Sequence, residues 1–597
     1  MRRSVLARIK KSWKIRRKNA DFEAIGQELN VDPVIVWMML NRDIEVGEMR
    51  NYLRPSREDI HDPASLKDAR EAVSMIMDCV SKQEKIRIIG DYDIDGMMST
   101  YILHTGFLRV GANCDWRIPH RVTDGYGLNG RLVEEAHSDG VDLIVTCDNG
   151  ISAMESIALA KSYGMKVIIT DHHTVMKDEE GQDVLPPADY VVNPHRMDDE
   201  SVYKMICGAS VAWKLIGLLY RASGIDPEEW WDLMPFAAFA TIGDVMPLRD
   251  ENRAQVKLGL AQMATFENLG LRALIQLKNL DPSHITSFQV GFVLGPCLNA
   301  AGRLESASLG VELLEAKTEA EALSLAEKLS DLNERRKDMT EKGVDEAEYL
   351  LKAKGWEKDR VLVIYEPDVP ESVIGIVAGR IRERTNKPTI VLTDGADCVK
   401  GSARSIPEYH MYNALHEVEH LLSKYGGHPL AAGLSLPKEK VDQFRQELNA
   451  KCTLTEEDLQ SNLLIDSDMS FRYLINRPEL VAELDLLEPY GTGNEKPVFA
   501  ESHCQIISMR PIGKEKQYLK LTLQGKYNTK IDALFFGDCE ALKQELGERY
   551  GVEEVERTLS YGKGRMELTV AYYPTINTYR GIDTTEIIIS DYLVPEN

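Results

Sequence analysis

The feature that most constrains this chain is the stretch KIRIIGDYDIDGMMSTYIL, residues 85–103. An apolar strand ends there in three aspartates at alternate positions, Asp91, Asp93 and Asp95, followed by Gly96 and the start of a helix. Carboxylates this closely spaced repel one another unless something neutralises them. Divalent cations do so, because they accept several oxygen ligands and supply positive charge. The stretch therefore predicts a metal site, although a turn rich in Asp and Gly is the alternative reading.

Short apolar strands alternate with amphipathic helices from about Asp62 to Arg249. The predicted strands are KIRIIG, CDWRIP, DLIVTC, KVIIT and DYVVN. This alternation indicates βαβ units and a mostly parallel sheet, in which ligands bind beyond the carboxyl ends of the strands. Several polar residues stand at those ends: Asp93, Asp95, Asp148, Asp171, His172 and His173.

These motifs differ in how specific they are. The DHH triplet at 171–173 is uncommon at a strand end, and His with carboxylates is a ligand set for Mn²⁺ or similar ions. The DNG of TCDNG is weak evidence for a metal site when taken alone, because Asn-Gly is common in turns. Asp244 lies in the apolar stretch FATIGDVMPL, where an isolated carboxylate is costly without a partner. Four such segments in one α/β region predict a single metal site built from several strand ends.

The pattern beyond residue 250 predicts further domains. Residues 251–355 are helical in pattern, and their charged second half suits a long connecting helix. The α/β alternation returns over residues 356–455. About five strands follow within residues 456–597, which suits a small OB-type barrel. The predicted division is a helical region at 1–55, a catalytic α/β domain at 56–250, a linker at 251–355, a second α/β domain at 356–455 and a barrel at 456–597.

Composition limits the function classes. With 71 Lys+Arg against 95 Asp+Glu, the net charge is -24, which disfavours a protein that coats nucleic acid through bulk charge. A nucleic-acid enzyme is compatible with this acidity, because bound metals add local positive charge. No apolar run approaches the roughly 20 residues of a membrane helix, and no secretory signal is evident. Nine scattered cysteines without a CxxC pair predict neither disulfides nor a zinc site, so a reducing cytoplasm is the simplest setting.

Two groups of residues have competing interpretations. The basic N-terminal cluster is interpreted as a solvated helix face rather than a phosphate or membrane contact: Arg2, Arg3, Arg8, Lys10, Lys11, Lys14, Arg16, Arg17 and Lys18. In the β-rich end, AYYPTINTYRG offers a candidate surface for stacking bases, although aromatic residues in strands more often belong to the core. The candidates there are Tyr572, Tyr573, Tyr579 and Arg580.

Four segments in order, GDYDIDG, TCDNG, TDHH and TIGDVMPL, resemble the motifs of the DHH phosphoesterase superfamily. GSARS (401–405) and YGGHPLAAG (425–433) resemble the DHHA1 domain that accompanies it. CGASVAWKL, GPCLNAAGRLESA, ESVIGIVAGRI and EPYGTGNEKPVF are similar to segments of its single-stranded-DNA-specific 5′→3′ exonucleases. The resemblance covers about residue 25 to the C-terminus. It implies two α/β domains, DHH and DHHA1, joined by a long helix around a cleft, plus a C-terminal OB-type β-barrel.

The resemblance also implies a role for each matching residue. Two Mn²⁺ or Mg²⁺ ions would be held by Asp93, Asp95, Asp148, His172 and Asp244, with Asp148 bridging. His173 and Arg303 would act at the scissile phosphate. The 5′ end of the strand would meet Arg121, Ser402, Arg404, and the backbone near Gly427 and His428. These residue types suit the roles, because paired cations activate water and guanidinium groups offer forked donors to phosphate.

One position departs from the family pattern. Many members have a His four residues before the first aspartate assigned to metal, whereas this chain has Ile89. The isoleucine cannot ligate a metal, so one ion would have fewer protein ligands, more water or help from Asp91. Weaker binding at that metal is the resulting hypothesis, and a single tight, non-stepwise dependence of activity on Mn²⁺ would count against it.

The expected function is a metal-dependent 5′→3′ exonuclease that hydrolyses single-stranded DNA to mononucleotides in recombination and repair, with a metal-activated water as nucleophile. A cleft too narrow for duplex would give the single-strand preference. The expected state is a cytoplasmic monomer, and the expected partners are a helicase and a single-strand-binding protein. The alternatives are a phosphodiesterase acting on oligonucleotides or cyclic dinucleotides, and a catalytically inactive single-strand-binding subunit.

Overall fold

The structure is a computed structural model that describes residues 10–121, 123–562 and 564–595, without the side chain of Tyr579. Arg2, Arg3 and Arg8 of the basic cluster, and the ring of Tyr579, therefore lie outside the described residues. The chain divides into two compact units. The first comprises Arg50–Lys337 and Glu488–Glu495, and the second the remainder. Within the described ranges, no helix is both long and apolar enough to cross a membrane.

The first unit contains a five-stranded parallel sheet. All five predicted strands are present, in the spatial order Asn113–Arg117, Lys85–Ile89, Leu143–Cys147, Lys166–Thr170 and Tyr190–Val192. The central strand Leu143–Cys147 is buried throughout, as expected for a parallel sheet covered on both faces. The carboxyl ends of neighbouring strands meet at one edge of the sheet, and that edge carries the candidate metal ligands.

Helices cover this sheet and extend beyond it. The helix Ile94–Arg109 starts at the first motif and packs on Gly208–Ser223, whose Trp213 is fully buried. The helices of the first unit are Ala69–Ser81, Ile94–Arg109, Gly130–Ser138, Met154–Ser162, Gly208–Ser223, Pro227–Trp231, Met234–Gly243, Asp250–Gln262, Leu269–Leu277, Ser287–Gln289, Gly295–Leu304 and Ser308–Glu315.

Two helical segments depart from a regular domain helix. Val290–Leu294 is a π-helical stretch that runs directly into the helix Gly295–Leu304; such stretches are rare and often mark functional sites. The predicted long helix is confirmed as Glu319–Lys354, which has 36 residues. At 1.5 Å per residue it is about 54 Å long. It begins in the first unit and ends in the second.

The second unit contains the other α/β module. Its mixed sheet has the order Lys424–His428, Ala431–Leu436, Val399–Arg404, Thr389–Asp394 and Leu362–Tyr365. Only the last two strands pair in parallel, and the other pairs are antiparallel. The helices of this unit are Phe22–Leu29, Pro33–Leu40, Glu371–Thr385, Met411–His416, Val441–Lys451, Phe471–Ile475, Pro478–Glu483, Cys539–Tyr550 and Val552–Tyr561; the short helix Met49–Leu53 crosses the unit boundary.

The five strands predicted near the C-terminus are also present. They pair in a closed ring, because the strand Phe499–Ile512 pairs at one side with Tyr518–Gln524 and at the other with Glu567–Tyr579. The remaining strands of the ring are Lys530–Phe535 and Ile582–Leu593. Closure removes exposed sheet edges, as in a small barrel.

The N-terminal segment differs from the expected basic helix face. Ser12–Ile15 is a β-strand that pairs in parallel with Asn462–Ile465, far away in the sequence. A four-residue strand needs such a distant partner to form, so its local sequence does not predict it. The core of the β-rich region also takes in Tyr572, which is fully buried and donates a hydrogen bond to the carbonyl of Met469. It is therefore a core residue and not a stacking surface.

Candidate metal centre

The predicted metal ligands gather at the carboxyl end of the parallel sheet. Three groups of side chains have ligand atoms within 4.8 Å of one another. The groups are Asp95 with His172 and Asp244, Asp91 with Asp93 and Asp148, and Asp148 with His172 and His173. Because Asp148 and His172 each belong to two groups, the three form one continuous cluster. All five predicted ligands lie in it, together with Asp91 and His173.

The two aspartates of the first motif are held by backbone N–H groups. Asp93 is the N-cap of the helix Ile94–Arg109 and accepts hydrogen bonds from the N–H groups of Asp95 and Gly96. A side chain at Gly96 would lie 2.4 Å from the carbonyl oxygen of Asp91. Glycine therefore lets the strand end and the helix start approach closely enough to bring the carboxylates together.

Asp95 is fixed by a segment that sequence reasoning did not assign to the site. Its two carboxylate oxygens accept hydrogen bonds from the N–H groups of Gly208 at 2.6 Å and Ala209 at 2.7 Å. These groups begin the helix Gly208–Ser223, whose N-terminal dipole favours a negative charge there. The only sequence signal was the similarity of CGASVAWKL to the exonuclease family.

Asp148 and His172 form the centre of the cluster. Asp148 is 2% exposed and adopts a left-handed φ of 60°, which Asp tolerates better than most residues. The Nε2 atom of His172 lies 3.1 Å from Asp148 Oδ1, 3.4 Å from Asp95 Oδ2 and 3.7 Å from Asp244 Oδ2. One imidazole nitrogen therefore faces three carboxylates. A divalent cation could bind to this nitrogen and to the carboxylate oxygens at the same time.

Asp91 is the aspartate whose role the sequence left open. It is 1% exposed, and its Oδ1 atom has no hydrogen-bond partner among the described residues. An unpaired buried carboxylate oxygen is costly unless it binds a proton or a cation. Ile89, which stands where many relatives have His, is fully buried in an apolar cluster with Leu128 and Val133. The weaker-metal hypothesis stays a prediction, and Asp91 is placed to supply a ligand.

Asp171 lies beside the cluster but orients a histidine instead of joining the ligand groups. Its Oδ1 atom is 2.7 Å from Nδ1 of His173, and its other oxygen accepts a hydrogen bond from the N–H of Ile151. Burial works to lower the pKa of His173, but the bond to Asp171 raises it to about 9. His173 is consequently an imidazolium at neutral pH, and 41% of its side chain is exposed.

Tyr126 is a second contact that the motifs did not reveal. Its hydroxyl donates a hydrogen bond to the carbonyl of Asp148 at 2.9 Å and lies 3.2 Å from both ring nitrogens of His173. The loop that carries it has left-handed glycines on either side, Gly125 and Gly127. Tyr126 therefore links the strained Asp148 backbone to the exposed histidine.

The cluster carries more negative charge than it can hold without a counter-ion. Burial, followed by repulsion from Asp95 and Asp93, raises the pKa of Asp244 to about 8. Burial and neighbouring carboxylates likewise raise the pKa of Asp148 and of Asp91 well above the usual range. Oxygen-rich groups with imidazole nitrogens fit Mn²⁺ or Mg²⁺. Divalent cations would take the place of the protons that this arrangement otherwise retains.

The two arginines predicted to reach phosphate lie in the same unit as the cluster. Arg121 places its guanidinium 4.3 Å from the ring centroid of Tyr92, the residue between Asp91 and Asp93. Arg303 lies in the last turn of the helix Gly295–Leu304. That helix contacts the first motif directly, because the side chain of Asn299 accepts a hydrogen bond from the N–H of Ile94 at 2.9 Å.

The predicted contacts of the second unit share one side of its sheet. Arg404 is opposite Ala431, which is opposite His428 on the next strand. Arg404 also donates a hydrogen bond to the Ser402 hydroxyl at 3.2 Å. Gly427 has a φ of 146°, and a side chain there would lie 2.4 Å from the carbonyl of Ala431. The structure thus places Ser402 and Arg404 on one strand and His428 on another, with the strand Ala431–Leu436 between them.

Sequence reasoning missed an exposed aromatic pair in the first unit. Phe288 and Phe292 are 64% and 67% exposed, and their rings stack at 4.9 Å with an interplanar angle of 26°. They flank the start of the π-helical stretch, where a side chain at Gly291 would lie 3.6 Å from Ile242, two residues before Asp244 in the sequence. Large apolar rings exposed side by side commonly mark a binding surface.

Comparison with known proteins relates this geometry to a family. Three family profiles match in order: the DHH family N-terminal domain at residues 85–238, the DHHA1 domain at 358–453 and the RecJ OB domain at 465–591. A curated relative from Haemophilus influenzae, the single-stranded-DNA-specific exonuclease RecJ, is 32% identical over 89% of this chain and 92% of its own length. The chain belongs to the RecJ family. The RecJ of Bacillus subtilis is 35% identical over 89% of this chain, and the match spans 66% of that longer protein.

Solved RecJ structures share the fold. The crystal structure of RecJ from Thermus thermophilus in complex with Mn²⁺ has a TM-score of 0.80 at 28% identity, covering 98% of this chain and 80% of that one. A Mg²⁺ complex of the same protein gives a TM-score of 0.74. The expected fold class, two α/β domains with a C-terminal OB domain, is therefore confirmed, and Mn²⁺ or Mg²⁺ is the cofactor type of this family.

Proposed function

We propose that this chain is a metal-dependent 5′→3′ exonuclease that hydrolyses single-stranded DNA to mononucleotides. The observation that carries the proposal is the continuous cluster at the carboxyl end of the parallel sheet, in which Asp148 and His172 are each shared between two ligand groups. A shared carboxylate is what two neighbouring cations require. The RecJ relatives named above, matched over most of this chain, are specific for single-stranded DNA.

The protein groups divide into ligands and phosphate contacts. Asp95, His172 and Asp244 would hold one ion, and Asp91 and Asp93 the other, with Asp148 between them. When bound, such ions make water a better nucleophile and stabilise the oxygens of phosphate displacement. The His173 imidazolium, held by Asp171 at 2.7 Å, would donate a hydrogen bond to the scissile phosphate. Arg303 would donate to the same phosphate group.

We assign recognition of the 5′ end to the residues that the family resemblance implies for it. Arg121, Ser402 and Arg404 offer charged or hydroxyl donors, and the backbone near Gly427 and His428 is exposed. A guanidinium binds phosphate oxygens through two parallel hydrogen bonds. A terminal phosphate bound in this way would give the enzyme its 5′→3′ direction, because only a 5′ end presents that group.

The exposed pair Phe288 and Phe292 supports a substrate with unpaired bases. Base stacking on an aromatic ring needs an accessible face, which a base inside a duplex does not have. The same segment buries Val290 and Leu294 completely while it exposes the two rings. We assign the pair to stacking on bases of the single strand near the metal centre.

The working context follows from this substrate. Single-stranded DNA arises where a helicase separates strands and where a single-strand-binding protein covers them, so both are proposed partners in recombination and repair. All nine cysteines are free thiols, consistent with the reducing cytoplasm in which we place the enzyme. A monomer is the proposed state.

One experiment tests the proposed activity. A single strand labelled at the 5′ or the 3′ end is digested with Mn²⁺, alongside the matching duplex. The 5′ label is expected to appear at once in mononucleotides, while the 3′ label stays in shortening strands and the duplex is spared. Early release of the 3′ label as mononucleotide, or equal digestion of the duplex, would overturn the proposal.

Two alternatives are separated by further assays. A small-substrate phosphodiesterase would hydrolyse a dinucleotide or cyclic dinucleotide faster than a long 5′-phosphorylated strand. A catalytically inactive binding subunit would show the same activity after Asp148 or His172 is replaced. The match to the RecJ OB domain favours the long strand, because a dinucleotide has no use for an additional DNA-binding domain.

A further inference from the structure

The Tyr92 ring lies between the metal cluster and a phosphate-directed arginine. The Arg121 guanidinium sits 4.3 Å from the ring centroid, within the range of a cation–π interaction. Tyr92 is also flanked by Asp91 and Asp93, two members of the cluster. One residue therefore joins the candidate metal ligands to the candidate anchor for the 5′ end.

Tyr92 is the main constraint on Arg121 that the structure shows, through its ring and through a hydrogen bond that its hydroxyl accepts from the guanidinium. Among the described residues, Arg121 forms no ion pair within 4.0 Å, although its charge influences Asp91. A long side chain with free rotamers would otherwise lose entropy on binding phosphate. Stacking on a ring fixes the plane of the guanidinium while leaving its N–H donors at the edge available.

Tyr92 is itself held firmly. A side chain at Gly302 would lie 2.3 Å from the Tyr92 carbonyl oxygen, so the helix Gly295–Leu304 packs directly against this backbone. On another side, the ring of Tyr126 meets the Tyr92 ring edge-on, with centroids 6.3 Å apart and an interplanar angle of 83°. A ring clamped in this way can act as a fixed support.

We propose that Tyr92 is a positioning residue that holds Arg121 at a set place beside the metal centre, so that Arg121 selects strands with a 5′-terminal phosphate. The inference rests on the role proposed above for Arg121. It assigns the larger share of the support to the aromatic face of Tyr92, which the variant Tyr92→Phe separates from the contribution of the hydroxyl. Substrate preference would then depend on a residue that does not touch the terminal phosphate.

The test compares strands with a 5′-phosphate and a 5′-hydroxyl end. Binding of fluorescent single strands to the full chain is measured by anisotropy in EDTA, which separates the anchor from the metals. The preference for phosphate is expected to fall about 3- to 30-fold in Tyr92→Leu, in keeping with the strength of such contacts. Tyr92→Phe keeps the ring and is expected to retain the preference within about 2-fold.

Double substitution locates the cause. Arg121→Ala is expected to remove the preference, and adding Tyr92→Leu to it is expected to change nothing further, because the two residues act as a unit. Tyr163→Leu, at a surface ring that stacks on His137 in the same unit, is the matched control and should behave as the unaltered protein. Circular dichroism of each variant establishes that it is folded.

Three results would overturn the inference, and they are distinguishable. If Arg121→Ala lowers the preference for a 5′-phosphate and Tyr92→Leu does not, Arg121 binds the phosphate without needing Tyr92. If Arg121→Ala itself keeps the preference, the proposed role of Arg121 fails and the role of Tyr92 with it. Equal losses in Tyr92→Phe and Tyr92→Leu would assign the effect to the hydroxyl and contradict the aromatic support.

Discussion

The metal cluster of the first unit and the strand-borne contacts of the second differ in how they are built. Asp95 and Asp148 are 1% and 2% exposed and crowd against other acids, whereas Gly427 and His428 are exposed and Arg404 rests on a hydrogen bond to Ser402. Burial raises the energy of unbalanced charge, so the cluster is poised to take cations. Exposure lets the second group meet a long flexible substrate at small energetic cost.

This difference predicts different responses to substitution. Removing a member of a buried, shared charge cluster changes all the groups around it. Removing one exposed phosphate contact weakens binding by the worth of that contact alone. The first class of residue should therefore govern turnover and metal binding, and the second should govern substrate affinity.

The largest effect is expected at the centre of the cluster. Asp148→Asn and His172→Ala should lower Mn²⁺-dependent hydrolysis by on the order of 10³-fold or more, because each residue serves two ligand groups. Asp78→Asn, at an exposed carboxylate paired with Lys82, should not change activity. In EDTA, Asp148→Asn should raise the Tm, since it relieves repulsion, by about 2–4 °C for each kcal/mol relieved.

The next effect concerns the histidine that Asp171 orients. Asp171→Asn should lower kcat by about 10²-fold, because it loosens the His173 ring and lowers its pKa from about 9 toward about 6.5. The imidazolium is present below its pKa, so the alkaline fall of kcat should move to lower pH by the same amount. An unchanged pH profile in this variant would contradict an imidazolium role for His173.

Replacing an exposed phosphate contact should have a smaller effect, and it should lower substrate affinity and not turnover. Arg404→Ala should weaken binding of a 5′-phosphorylated strand by about 10- to 100-fold, the worth of a charge-assisted hydrogen bond, with kcat little changed. Arg380→Ala, at an exposed arginine on the helix Glu371–Thr385, is the control. If Arg404→Ala lowered kcat as much as Asp148→Asn does, the proposed difference between the two regions would be wrong.

Replacing one ring of the aromatic pair should weaken binding of single-stranded DNA by as much as the loss of Arg404, or by less. Phe292→Ala should weaken single-strand binding by about 5- to 20-fold through lost base stacking, and Phe292→Tyr should preserve it. Strands that carry abasic sites provide the complementary test, since they have no base to stack. If Phe292→Ala weakens abasic and normal strands equally, the ring does not act by stacking.

The smallest effect is on the pH dependence of stability. In the metal-free protein the pKa of Asp244 is raised to about 8, and the pKa values of Asp91, Asp95 and Asp148 are also raised. The folded state therefore binds more protons than the unfolded state above about pH 4, and stability falls as pH rises toward 8. The difference in Tm between Mn²⁺-bound and metal-free protein should therefore widen progressively over that range.

Much of the site could be predicted because its residues follow the strands directly. The apolar runs ending in Asp93, Asp148 and His172 predicted both the parallel sheet and the shared edge. The contribution of Asp91 and the orienting role of Asp171 depend on side-chain directions that spacing does not give. Phe288 and Phe292 could not be told from core residues by sequence, because exposure is a tertiary property.

The N-terminal strand shows the same limit for the fold. Ser12–Ile15 has the sequence SWKI, and within the described part of the chain its strand partner is Asn462–Ile465. Local preference weakly specifies a strand of four residues, and the distant partner supplies the hydrogen bonds. Tyr572 shows the same limit for a side chain. Its strand was predicted correctly, but only the tertiary structure shows that the ring is buried in the core and not exposed.

The central claim is that one cluster holds two cations with Asp148 between them. Crystals grown with Mn²⁺ and measured at the manganese absorption edge test this directly through the anomalous difference map. Two peaks are expected, one among Asp95, His172 and Asp244 and the other among Asp91 and Asp93, each in contact with Asp148. A single peak, or two peaks that do not share Asp148, would contradict the account.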